Sequence, residues 1–175
     1  YYYKAFASND LGESLGEEKG FRTLGNELGA FTDPRDGNEY TTVRIGNQTW
    51  MAENLAWLPS IDLPSEGSNI VERYYVYNYF GDAVAEAKGS SYYAKYGVLY
   101  NWKASLNACP PGWHLPTDSE WKTLEKTLGM NQVSANNAGW RGTVEGRLIK
   151  AQQGWKSGGN GSDISDFSAL AGGYR

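Results

Sequence analysis

Thirteen residues in the second half of the chain, Cys109 to Trp121 in the order C-P-P-G-W-H-L-P-T-D-S-E-W, constrain the fold more than any other stretch. Pro110 and Pro111 fix φ and lack N–H donors, so neither fits inside a helix or a central strand, and Gly112 permits a sharp reversal. Thr117 followed by Glu120 has the spacing of a capping box, in which a hydroxyl and a carboxylate satisfy the free N–H groups of a helix start. Trp121, Leu124 and Leu128 recur at i, i+3 and i+7, and Gly129 stands where a left-handed residue ends a helix. The stretch therefore predicts a turn and then a helix near 117–128. Trp50, Trp102, Trp113 and Trp121, set beside glycine and proline, are expected in the core, and Cys109 and His114 join Trp50, Trp113 and Trp121 as its structural motif.

The rest of the chain reads as short strands and long loops. Tyr1 to Ala7 alternates with the period of a strand, Asn9, Asp10 and Gly12 make a turn, and Glu17 to Leu24 reads as the return strand, with Phe21 toward a core. Residue 1 opens directly in this pattern and is expected to be an internal point of a longer chain. Gly25 to Ala30 reads as a linker. Asp36-Gly37 and Gly46-Asn47 are hairpin signals around a strand at Tyr40 to Ile45 and another at Gln48 to Met51. Ala56 to Ser91 reads as loops with one strand at Tyr74 to Tyr79. Asn101 is expected to cap a helix through Asn107, and Gly154 to Gly161 is a glycine-rich loop around Trp155.

Composition narrows the function classes. A net charge of -4 with no basic patch argues against an electrostatic grip on nucleic acid or an anionic membrane. No apolar run reaches the ~18 residues of a spanning helix. One cysteine allows no internal disulfide, so it neither supports nor excludes an oxidising compartment. The 13 tyrosines, 7 tryptophans and 22 glycines suit short strands joined by irregular loops better than a helical bundle.

Two resemblances organise these readings. Y-x-Y-x-A-x-A-x-N from Tyr1 and G-E-x-x-x-F-x-T from Gly16 resemble the last two strands of a fibronectin type III-like or other immunoglobulin-like module. That places such a module at 1–24, a linker at 25–30 and the main domain at 31–175; the other reading keeps the hairpin within the main domain. From Phe31 on, D-P-R-D-G-N-E-Y-T-T-V-R-I-G-N-Q-T-W-M-A-E-N-L, then Y-G-V-L-Y-N-W, then A-C-P-P-G-W-H-L-P-T-D-S-E-W and finally F-S-A-L-A-G-G-Y-R resemble the Fibrobacter succinogenes major paralogous domain. The resemblance implies a secreted or surface protein of a Gram-negative bacterium such as a Bacteroidetes species. Family members usually continue past G-G-Y-R into a final strand, so the last strands are expected to be missing here or supplied by a partner. The G-W-H-L-P-T-D-S-E-W segment is also similar to formylglycine-generating enzymes, which implies a C-type-lectin-like α+β fold with short twisted antiparallel strands. That enzyme chemistry depends on a cysteine pair, so with one cysteine the similarity implies fold and not activity.

Candidate sites follow. Flat aromatic faces stack on sugar rings, and Trp57, Tyr75, Tyr77, Trp140 and Trp155 are the candidates for a platform binding polysaccharide or a surface protein. The same side chains serve equally as core. Asp33, Asp36, Asn38 and Glu39 form one oxygen-rich cluster and Asn160, Asp163 and Asp166 another; calcium is the cation they would suit, although Asx-turn chemistry explains both without metal. Otherwise no cofactor is indicated. A Cys109–His114 dyad is the enzymatic alternative. The expectation is a non-catalytic adhesion or binding module, with a structural spacer or assembly subunit as the other reading.

Overall fold

The computed structural model describes residues 2–3, 6–10, 12–17, 19–20 and 26–173. Strands β1 (Tyr2–Tyr3), β2 (Phe6–Asn9), β3 (Gly12–Leu15) and β4 (Lys19–Gly20) form an antiparallel hairpin, with Phe6 opposite Leu15, Asn9 opposite Gly12, and Tyr3 opposite Lys19. The turn falls where Asn9, Asp10 and Gly12 predict it. The return strand begins at Gly12, five residues before the expected Glu17, because the chain reverses within two residues and pairs at once. Phe21 lies outside the described residues.

Strand β5 (Glu27–Thr32) occupies most of the segment expected as a linker. It pairs antiparallel with β6 (Glu39–Ile45), which pairs with β7 (Gln48–Met51), giving a three-stranded sheet in the order β5-β6-β7. The expected linker residues lack apolar alternation because β5 is an edge strand whose residues 27–30 are exposed, so burial left no pattern to read. The turn at Gly46-Asn47 joins Ile45 directly to Gln48, and Gly46 takes the positive φ of 62° that the reversal needs.

A second, two-stranded sheet pairs β8 (Tyr74–Tyr75) with β9 (Leu99–Tyr100). Between them run α1 (Val84–Lys88) and α2 (Ser91–Tyr96), neither of which the sequence announced. Helix α3 (Trp102–Ala108) starts at Asn101, whose side chain accepts from the Ala104 N–H as expected. Helix α4 (Asp118–Thr127) has the full capping box, with Thr117 and Glu120 bonded reciprocally. Helices α5 (Gln132–Ala135) and α6 (Glu145–Ile149) follow, and a parallel bridge joins Lys150 to Ala169. The architecture is mixed α+β. Among the described residues no helix is long and apolar enough to cross a membrane.

Two apolar cores result. Val43, Ile45, Trp50 and Ala52 on one face of β6–β7 meet Leu124 and Leu128 of α4, the i and i+4 positions of its apolar stripe. Leu148, Ile149 and Phe167 close this first core. The second gathers Leu58, Tyr74, Val76, Ala87, Val98 and Ala104, flanked by Trp57, Tyr93 and Tyr100.

Candidate functional site

The five aromatics expected to form a binding platform do not form one. Trp57 is half-buried: the Arg35 guanidinium sits 4.1 Å above its ring and the edge of Tyr74 meets it at 5.9 Å. Tyr75 is buried, its hydroxyl donating to the Glu66 carbonyl. Trp155 is pinned, with Nε1 donating to the Ala169 carbonyl at 3.0 Å and Lys150 over its ring. Tyr77 is exposed but packs edge-on to Tyr92 and Tyr96, while Trp140 is fully exposed and has no aromatic neighbour among the described residues. Sequence distinguishes such uses poorly, since Trp and Tyr serve core and surface alike.

The oxygen-rich clusters are likewise engaged within the chain. Asp33 is fully buried and bidentate with Arg35, through Nε at 2.9 Å and Nη2 at 2.7 Å. Hydrogen bonds from Arg35 hold its carboxyl below the usual carboxylate range against the opposing effect of burial. Arg35 also donates to the Ala108 and Cys109 carbonyls at the C-terminus of α3, so it caps that helix from 73 residues away. Asp36 accepts from Asn38, and Asn160 from the Trp155 N–H. Asp163 takes both the N–H and the hydroxyl of Ser168, and Asp166 accepts from Asn26. Glu39 is exposed. Among the described residues no three His, Cys, Asp or Glu side chains come together in a metal-binding group.

The cysteine and histidine are not arranged as a nucleophile and base. Burial pushes the Cys109 thiol up, away from the thiolate. His114 is exposed, contrary to its expected place in the core, and its Nε2 lies 2.7 Å from Glu120 Oε1. Glu120 is held down at about 2, first by the Thr117 N–H, then by the Thr117 hydroxyl and His114.

Instead, the opening motif forms one wall of a cleft of about 760 Å³. Trp113 is half-buried against Phe31 at 5.4 Å; Trp121 keeps 36% of its surface exposed; Trp102, also expected inside, is 70% exposed on the first turn of α3. Only Trp50 is fully in the core, with Cys109 half-buried. Trp50, Trp121 and Phe167 form an aromatic triple with centroids 5.0 to 6.2 Å apart. Tyr96 and β9, residues of β7, and Leu170, Gly172 and Gly173 line the cleft as well.

A sequence model of the Fibrobacter succinogenes major domain matches residues 43–175, about three-quarters of the chain. The chain belongs to this family. No curated protein and no solved structure matches it significantly. The matched part of this Fibrobacter succinogenes major domain runs from mid-β6 onward and contains both cores and the whole lining of the cleft. Its Y-G-V-L-Y-N-W segment places Gly97 where any Cβ would meet the Leu55 carbonyl oxygen at 2.6 Å, so the glycine allows the chain before β9 to close on the chain after β7. Phe167 and Leu170, which the sequence marks as core positions, and Tyr96 all line the cleft, a role that sequence reasoning did not assign to them. The apolar stripe of α4 was the signal that could have found the cleft, since Trp121 begins it and lines the cleft.

Proposed function

We propose that this chain is a non-catalytic binding module on a C-type-lectin-like scaffold, carried outside a Gram-negative bacterium, which holds a glycan or protein ligand in the cleft beside β7. The observation that carries the reading is Trp121: its ring packs at a tilt against Trp50 and Phe167 yet remains one-third exposed at the cleft. Aromatic rings held by neighbouring rings lose little entropy when a ligand docks on them. The raised Cys109 thiol and the Glu120-bound His114 support binding without chemistry.

The test is Trp121→Ala in glycan-array and immobilised-protein binding assays. The substitution is expected to weaken binding about tenfold, the loss of about 1.4 kcal/mol of contact, with little change in fold because Trp121 is partly exposed already. Trp140→Ala, on the isolated loop ring, is expected to leave binding unchanged. If Trp140→Ala abolishes binding and Trp121→Ala does not, the cleft is not the site. A second reading, an assembly subunit whose sheet is completed by a partner, is favoured by β7, which among the described residues is an edge strand of its sheet and lines the cleft.

A further inference from the structure

We infer that the loop from Arg147 to Ser162 binds the carboxylate or sulfate groups of an acidic polysaccharide. The loop is separate from the cleft, whose lining includes none of its residues, so this site goes beyond the reading above.

From Arg147 to Ser162 the chain carries Arg147, Lys150 and Lys156 and no Asp or Glu, although the whole sequence has a net charge of -4. Glycines and amides separate the three, so no basic run marks them in the sequence. Of the five arginines among the described residues, Arg35, Arg44, Arg73 and Arg141 each pair with a carboxylate, and Arg147 pairs with none. Lys150 and Lys156 likewise have no ion-pair partner among the described residues. The acids nearest in sequence are engaged elsewhere. Glu145 is buried and accepts from the Thr143 and Val144 N–H groups, and Asp163 takes the N–H and the hydroxyl of Ser168.

The loop that carries these cations is closed by its own bonds. The Ser162 N–H donates to the Arg147 carbonyl at 2.8 Å and the Gly161 N–H to the Ala151 carbonyl at 2.9 Å, which folds the loop back on the segment bearing Arg147 and Lys150. Gly161 permits that approach, since any Cβ there would run into the Lys150 carbonyl oxygen. Within the loop the Trp155 N–H donates to Asn160 Oδ1 at 3.0 Å and the Gly159 N–H to the Lys156 carbonyl at 2.9 Å. The Lys150 ammonium lies 5.0 Å above the pinned Trp155 ring, which holds the cation in place without neutralising it. Groups held in this way lose little entropy when an anion docks.

The chemistry of the donors names the ligand. A guanidinium is a planar fork that matches two oxygens of a carboxylate or a sulfate, and the two ammonium groups add point charges. Gln153 and Asn160 are exposed and offer amides to sugar hydroxyls. Three cations on an acidic chain are too few for nucleic acid, whose affinity rests on many phosphate contacts, or for an anionic membrane. An acidic polysaccharide presents its anions singly, at the spacing of its sugar repeat, and suits a short loop.

The test passes the 175-residue protein over immobilised polygalacturonate, dextran sulfate and neutral dextran at low salt. Binding to polygalacturonate alone assigns a carboxylate and binding to dextran sulfate alone a sulfate; neutral dextran should bind neither parent nor variant through this loop. Arg147→Gln should weaken binding about tenfold, the weight of one charge-assisted pair, with an unchanged melting temperature because the side chain is exposed and unpaired. Lys88→Gln, which removes an exposed cation from α1, should leave binding unchanged. No binding to either acidic polymer, or equal loss from Lys88→Gln and Arg147→Gln, overturns the inference. Equal affinity for a phosphorylated peptide or duplex DNA overturns the assignment to a polysaccharide. Binding lost in Trp121→Ala but kept in Arg147→Gln upholds the cleft and overturns the loop, whereas the reverse pattern upholds the loop and leaves the cleft to its own test.

Discussion

Arg35 joins three parts of the molecule through one guanidinium: it pairs with buried Asp33, caps the end of α3 and covers Trp57. Arg35→Ala leaves Asp33 buried without its partner and two helix carbonyls unsatisfied, and should cost about 3 kcal/mol in chemical denaturation. Asp33→Asn should cost less, because a neutral amide still accepts a hydrogen bond. Gly97 is constrained differently, by a φ of 64° and the Leu55 carbonyl behind it. Gly97→Ala should cost about 2 kcal/mol or more in the same assay, the sum of backbone strain and a forced opening at the closed end of the cleft. Neither role is legible in sequence. D-P-R-D-G announces a turn, and it does form one, but the partner that makes Arg35 structural is α3, far along the chain. Y-G-V-L-Y-N-W likewise reads as a buried strand or turn without saying what packs against it.

At the scale of elements, legibility follows locality. Helix α4 was readable because its cap, stripe and terminating glycine lie within thirteen residues, and every signal agrees. The hairpin of β6 and β7 was readable for the same reason. Helices α1 and α2 are five and six residues long, too short for a periodic stripe, and α2 is half tyrosine, which favours strands as much as helices. Only Tyr74 and Tyr75 of the expected Tyr74–Tyr79 strand pair with β9, because the residues beyond turn away toward α1. The capping box of α4 also sets a pH dependence. Glu120 is held at about 2 in the fold against an ordinary 4.5, so its contribution is complete above pH 4.5 and fades as pH falls toward 2. Thermal midpoints between pH 5 and 2 should therefore fall less steeply for Glu120→Gln than for the parent.

For the molecule as a whole, the family and the α+β class were legible from ordered motifs, while the site was not, because a cleft is a relation between segments distant in sequence. Trp50, Trp121 and Phe167 are spread over 118 positions, and nothing local marks them as neighbours. The two cores share no buried residue. Between them lies the cleft, bridged at its closed end by the Val98–Leu55 bond and elsewhere by contacts such as Arg35 to α3 and the Tyr40 hydroxyl to the Ala56 N–H. Cooperativity should reflect that division. In denaturant, amides of β6 and α4 should open at a different free energy from those of β8 and β9, and the calorimetric enthalpy should exceed the van't Hoff value. Filling the cleft should bring the two transitions together, so that an occupant would be detected as a single sharp melting event where the free chain shows two.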